Sequence, residues 1–119
     1  MIYDRRYKRL NIIIERMKAE SRTEVSKLGL FESGYSQDMV RAKSNEETRE
    51  IEKKWIFKLY STALKALTLF NLHNYADDTK DNEGEIALSK RVERYESRLQ
   101  QLIGITRESQ EEFESGGGI

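Results

Sequence analysis

The residues that come nearest to a catalytic group are the single histidine of the chain and a nearby carboxylate. His73 and Asp77 are four residues apart, so on a helix the carboxylate would orient the imidazole and favour its charged form. A catalytic dyad also needs a nucleophile or a substrate site beside it, and the sequence identifies neither. A histidine near a helix C-terminus commonly contacts the last carbonyl groups instead. We therefore predict no catalytic residues, and a His73-dependent hydrolase ranks last among the alternatives.

The acidic segment from Asp77 to Glu85 could supply oxygen ligands for a hard cation. Its spacing does not fit an EF-hand, because a loop starting at Asp77 would place Asn82 at the glycine position and Leu88 at the bidentate acid position. The glycines near the C-terminus lack the lysine and the following helix of a phosphate-binding loop, and the chain has no cysteine. The sequence thus predicts no metal site and no cofactor.

Charges of opposite sign lie near the two ends of the chain. Tyr3 to Arg9 reads YDRRYKR and Arg107 to Glu114 reads RESQEEFE, although the whole chain balances 21 basic against 21 acidic residues. Overall neutrality argues against a surface devoted to nucleic acid or to an anionic membrane. We expect the basic helix of one subunit to meet the acidic tail of the next, or a protein partner to dock there. The predicted contacts between chains are Arg5, Arg6, Lys8, Arg9, Glu111, Glu112 and Phe113.

The stretch from Trp55 to Leu72 is apolar around most of its helical circumference, so other helices must enclose it. Its predicted core anchors are Trp55, Phe57, Tyr60 and Phe70. Lys58 and Lys65 lie well inside it and would be costly at mid-bilayer. We therefore predict a buried core helix, no membrane association and a cytoplasmic location, or a virion location if the protein is viral.

Two further stretches have apolar residues at alternating spacings of four and three, which is typical of a helix with one packing seam. Ser44 and Glu47 form a capping box that starts the central helix, and Gly104 is a plausible helix stop. The sequence predicts an all-α antiparallel bundle of three to four helices over residues 1–104, with an acidic C-terminal tail over 105–119. The two seams are Tyr3, Tyr7, Leu10, Ile14 and Met17, and Leu88, Val92, Tyr95, Leu99 and Leu102.

The region between Ser21 and Asn45 is less regular, and Gly29 and Gly34 suggest short helices and turns there. It has some likeness to a helix-turn-helix DNA-binding motif. Glu24 and Asp38 occupy inner-face positions where that motif prefers small or apolar residues. In the DNA-binding alternative, Arg41 and Lys43 contact the duplex.

We therefore predict a non-enzymatic helical assembly or adaptor protein that forms homo-oligomers and docks a protein partner through its terminal segments. In layout, it resembles helical adaptors of phage head-to-tail junctions. The alternative is a small DNA-binding oligomer with a divergent helix-turn-helix at about 21–43, which resembles viral packaging-initiation proteins in layout. Neither resemblance rests on a matched motif, so no family is assigned.

Overall fold

Three long helices make up the part of the chain that the structure describes. The computed structural model describes the backbone of residues 2–76 and 82–117 and the side chains of residues 8–76 and 82–104. Helix α1 spans Ile2–Arg41, α2 spans Asn45–Ala76 and α3 spans Asn82–Gly117. The expected all-α class is confirmed. The expected short-helix region is wrong, because α1 continues through it without a break, and Gly104 does not stop α3.

Helix α1 is continuous because its four-three seam does not end at Met17. The same spacing continues through Ser21, Glu24, Leu28, Phe31, Tyr35 and Asp38, all of which are buried or half-buried. Because Ser21 and Glu24 are polar, the pattern of apolar residues alone does not show that the seam continues past Met17. A strict seven-residue repeat of this kind favours left-handed packing with small crossing angles.

The other two helices follow the same spacing. Each of the three helices therefore turns one continuous seam towards its neighbours, as in coiled-coil-like bundles. The predicted C-terminal seam is confirmed as the packing face of α3. The seam of α2 comprises Glu52, Ile56, Leu59, Ala63, Ala66, Phe70 and His73, and that of α3 comprises Glu85, Leu88, Val92, Tyr95, Leu99 and Leu102.

The core lies where the middle of α2 meets α1 on one side and α3 on the other. Ala63 and Ala66 are fully buried, and their small side chains let the neighbouring helices approach α2 closely. Ile14 and Leu102 extend the apolar interior towards its two ends. The central cluster is Leu28, Ile56, Leu59, Ala63, Ala66, Leu88 and Val92.

Ion pairs and hydrogen bonds between polar side chains connect the helices at particular positions along their length. Glu24 of α1 pairs with Lys65 of α2 at 3.2 Å, and Glu52 of α2 pairs with Arg98 of α3. A third contact connects α1 and α3, since the Glu32 carboxylate accepts hydrogen bonds from Arg91 and from the Tyr95 hydroxyl. These pairs fix the register of the seams, which apolar contacts alone would leave free to slide.

The α1–α2 corner is closed by caps and by the only tryptophan. Ser44 Oγ accepts a hydrogen bond from the Glu47 amide at 3.1 Å, which confirms Ser44 as the cap. The Glu47 carboxylate reaches back to the Lys43 amide at 2.7 Å, one residue earlier than in a standard capping box. Trp55 lies against Gly34, where a methyl group would come within 2.6 Å of the indole. The glycine interpreted as a break is therefore a packing contact inside α1.

Candidate functional site

The molecule is a rod whose outer helices extend past the central helix at opposite ends. Its radius of gyration is 20.2 Å and its dimensions are 79 × 30 × 22 Å. A compact domain of this length would have a radius of gyration of about 13 to 14 Å. Two helix ends therefore stand outside the three-helix body, and they are the first candidates for contacts with other molecules.

The N-terminal end of α1 is one of these extensions. Helices α1 and α2 are antiparallel, so the numbers of two residues at the same level have a constant sum. Glu24 lies opposite Lys65 and Gly34 lies opposite Trp55, and both pairs sum to 89. At that register Ala76, the last residue of α2, is level with Ile13. Residues 2–12 therefore extend beyond α2 by roughly 16 Å at 1.5 Å per residue. We call this segment the α1 extension.

In the α1 extension the packing seam of α1 runs beyond the end of α2. Leu10 occupies a seam position yet is 46% exposed. Lys8 and Arg9, two of the predicted contacts, are exposed beside it. The side chains of Arg5 and Arg6 lie outside the described residues.

The C-terminal end of α3 is the second extension. The Glu52–Arg98 pair places Asn45, the first residue of α2, level with residue 105, whereas the Asn74–Glu85 hydrogen bond of 3.1 Å places it level with residue 114. The end of α3 therefore extends past α2 by roughly 5 to 18 Å at 1.5 Å per residue, and we call residues 106–117 the α3 extension. Its sequence carries four glutamates and one arginine, whereas the α1 extension carries four basic residues and one aspartate. Glu111, Glu112 and Phe113 fall in this segment, and their side chains lie outside the described residues.

A basic face runs along α3 beside the body of the molecule. Lys90, Arg91, Arg94 and Arg98 line an open groove on this helix. Arg91 forms an ion pair with Glu32 and Arg98 forms one with Glu52, and the hydrogen bond to the Glu52 carboxylate raises the pKa of Arg98. Lys90 and Arg94 are exposed and form no ion pair with another described residue. We call these four side chains the basic face of α3; sequence analysis did not identify it.

The predicted DNA-contacting residues lie at the α1–α2 corner, among acids. Arg41 is the last residue of α1, and Lys43 is exposed in the connection. The groove beside them is also lined by the carboxylates of Asp38, Glu46, Glu47 and Glu50. Such a groove repels a phosphate backbone. The uninterrupted α1 also leaves no turn for a helix-turn-helix at 21–41.

Phe57 was predicted to anchor the core, and that prediction is wrong. Its side chain is 61% exposed on the face of α2 opposite the core, together with Leu64 and Leu72. Tyr60 and Phe70 are half-buried against the core, and Trp55 is half-buried against Phe31 and Gly34. Helix α2 is thus apolar on its outer face as well as on its inner face.

His73 is a packing residue at the end of α2. It is 5% exposed, and its ring centroid lies 4.8 Å from that of Phe70. Asp77, the other half of the proposed dyad, lies outside the described residues, as does most of the acidic loop. Within the described residues no group of three or more metal-ligating side chains occurs, and no helix there has an apolar stretch long enough to cross a bilayer.

No known protein family matches this sequence, and neither a curated protein nor a solved structure shows significant similarity to it. The surfaces of the molecule are therefore the basis for a functional assignment.

Proposed function

We propose that this protein is a non-enzymatic assembly or adaptor protein that self-associates and docks a protein partner through its helix ends. The observation that carries the proposal is the pair of extensions of opposite charge at the two ends of the rod. An isolated helix end of about 12 residues is marginally stable in water, and a helix that continues beyond its own body gains stability when another chain packs against it.

Exposed apolar side chains support the same proposal. Leu10, Ile12 and Ile13 are each about half exposed near the α1 extension, and Phe57 and Leu72 are more than half exposed along α2. Single exposed apolar side chains are ordinary, but neighbouring ones on one helix face, such as Phe57, Leu64 and Leu72, commonly mark protein contacts. The surface charge adds specificity, since complementary charges select partners and speed association.

Light scattering after size exclusion, at 50 mM and at 500 mM salt, tests the proposal. We expect a discrete multimer at low salt that is unchanged by added random duplex DNA. A strict monomer at high protein concentration in both salts would contradict self-association. A salt-sensitive shift with DNA, lost when Arg41 and Lys43 are made neutral, would instead favour the DNA-binding alternative.

A further inference from the structure

The basic face of α3 and the acidic α3 extension belong to one continuous helix face. An α-helix turns about 100° per residue, which places Lys90, Arg94, Gln101, Glu108 and Glu112 within about 40° of one another. Lys90, Arg94 and Gln101 are all exposed on the body. The first half of this face is therefore basic and the second half is acidic.

The charges on this face are arranged symmetrically about Gln101. Arg94 lies seven residues before it and Glu108 seven after, while Lys90 lies eleven before and Glu112 eleven after. Arg91 and Glu111 are likewise ten residues to either side. When two copies of such a helix lie antiparallel with their Gln101 residues facing each other, every one of these cations is level with an acid. The face is complementary to itself.

We propose that the occupant of this face is a second copy of the same chain. Lys90 and Arg94 of each protomer pair with Glu112 and Glu108 of its partner across a two-fold axis at Gln101. The proposal rests on the proposed self-association and specifies the surface that provides it. The resulting interface is isologous and closes at two chains.

Like charges within a single chain favour this pairing. Lys90, Arg94 and Arg98 follow one another at four-residue spacing, as do Glu108 and Glu112. Like charges at this spacing destabilise an isolated helix. Arg98 is compensated within the chain by Glu52, whereas Lys90 and Arg94 form no ion pair among the described residues. An antiparallel second helix brings an opposite charge to each of them.

Gly104 gives independent support for a close approach at this position. A methyl group built on Gly104 would meet nothing within 4 Å, so packing inside the chain does not require glycine there. In the antiparallel pair, position 104 is level with Arg98 of the partner. The Arg98 guanidinium is held within its own chain by Glu52 and by Gln101 Oε1 at 3.1 Å, and a glycine at position 104 lets the partner helix approach without displacing these contacts.

The α1 extension is a poorer match for the acidic extension. Its basic residues Arg5, Arg6, Lys8 and Arg9 are spread over about 160° of the helix circumference at 100° per residue. The basic face of α3 occupies only about 100°. The pairing of α3 with α3 therefore leaves the α1 extension available for a different protein partner.

Paired charge reversals test the proposal. We expect K90E/R94E and E108K/E112K each to lose the wild-type dimer at 50 mM salt, because each face then carries one sign of charge. Mixing the two variants should restore a species of twice the chain mass, seen by light scattering, with one copy tagged to show that it is a heterodimer. Circular dichroism checks that each variant keeps its helix content.

Single cysteines locate the axis, because the natural chain has none. We expect Q101C to form a disulfide-linked dimer under mild oxidation at low salt, at least tenfold faster than S36C, an exposed control on α1. At 500 mM salt the difference should disappear, because exposed charges more than a few Å apart are then screened.

The outcomes separate this proposal from the proposed function. If the wild type is a dimer that both charge reversals leave intact, self-association stands and the α3 interface is wrong. If Q101C and S36C crosslink equally, the axis is misplaced and the proposal is also wrong. If the wild type is monomeric in all conditions, the α3 pairing and the proposed self-association are both overturned.

Discussion

At the scale of single residues, polar groups placed among apolar ones determine how the described helices pack against each other. Glu24 is 6% exposed and pairs with Lys27 at 3.0 Å and Lys65 at 3.2 Å. Burial by itself raises the pKa of this carboxyl, but the two ammonium groups outweigh that effect and lower the pKa below its ordinary value of 4.5. A buried carboxylate in this position tolerates one register of α1 against α2, because any slide removes Lys65.

The lowered pKa predicts how stability depends on pH. Glu24 contributes stability that is complete above its ordinary pKa and is lost as pH falls through the lowered value. At pH 7 we expect Glu24→Gln to lower the free energy of unfolding by about 1.5 to 3 kcal/mol, typical of a hydrogen bond to a charged group. At pH 3 the variant and the wild type should approach each other.

Urea unfolding at the two pH values measures this difference. Glu50→Gln is the matched control, since Glu50 forms an ion pair with Lys53 but its side chain is 70% exposed. That variant should change stability by less than about 1 kcal/mol at pH 7. Equal losses for the two variants would contradict a special role for Glu24.

Replacing either of the two described glycines of α1 with alanine is expected to change the stability of the protein, in opposite directions. Gly34 touches Trp55, whose indole donates to Asp38 at 2.6 Å and has Lys58 above its ring. Gly29 has open space around it. We expect Gly34→Ala to destabilise the protein by about 1 to 3 kcal/mol through overpacking, and Gly29→Ala to stabilise it by up to about 1 kcal/mol through helix propensity.

Trp55 reports on this contact directly, because it is the only tryptophan. Its fluorescence should shift in Gly34→Ala and stay unchanged in Gly29→Ala, with urea unfolding giving the stabilities. A stabilised Gly34→Ala would mean that the indole moves aside at little cost.

At the scale of elements, how far each helix was predictable depended on whether apolar residues filled its seam. The α3 seam is apolar from Leu88 to Leu102 and was identified. The α1 seam contains Ser21 and Glu24, so the helix was divided where its pattern became polar. The partner that makes Glu24 acceptable, Lys65, lies on another helix and cannot be inferred from local spacing. Ser21 shows the same limit, since its buried hydroxyl finds no hydrogen-bond partner among the described residues.

The candidate surfaces were predictable only as charge patterns. The opposite charges of the chain ends are visible in the sequence, but their position outside the body depends on where α2 begins and ends relative to its neighbours. The basic face of α3 was missed because its four cations are interleaved with seam residues and with Glu93. Phe57 was misplaced because α2 is apolar on both faces, and composition does not say which face turns inward.

The start of α2 predicts a further change in stability. Ser44 Oγ caps the helix by accepting from the Glu47 amide. We expect Ser44→Ala to lower the free energy of unfolding by about 1 kcal/mol, the usual cost of losing an N-cap. Ser36→Ala, at an exposed position inside α1, is the matched control. Since alanine is the better helix former, thermal unfolding should show the control unchanged or slightly stabilised, and equal destabilisation of the two variants would contradict the capping role.

At the scale of the whole molecule, the offset of the three helices determines how copies can combine. Helices α1 and α3 run parallel, and the Glu32–Arg91 pair sets their relative position. The first residue of α1 therefore lies below the level of Gln101 by a length of about 40 helical residues. Two copies related by an axis at Gln101 would therefore overlap only near their acidic ends, with the two α1 extensions at opposite ends of the assembly. An adaptor of this shape would present two identical basic ends to its partners.

That geometry predicts the length of the assembly in solution. Forty residues on each side of the axis correspond to a maximum dimension of roughly 120 Å at 1.5 Å per residue, against 79 Å for one chain. Small-angle X-ray scattering at 50 and 500 mM salt should show the longer particle giving way to the shorter one. Side-by-side packing would leave the length near 79 Å while doubling the mass, and head-to-tail joining through the α1 extension would give particles that lengthen further with concentration. Either result would exclude the two-fold α3 interface, because only pairing about Gln101 fixes both the mass and the length.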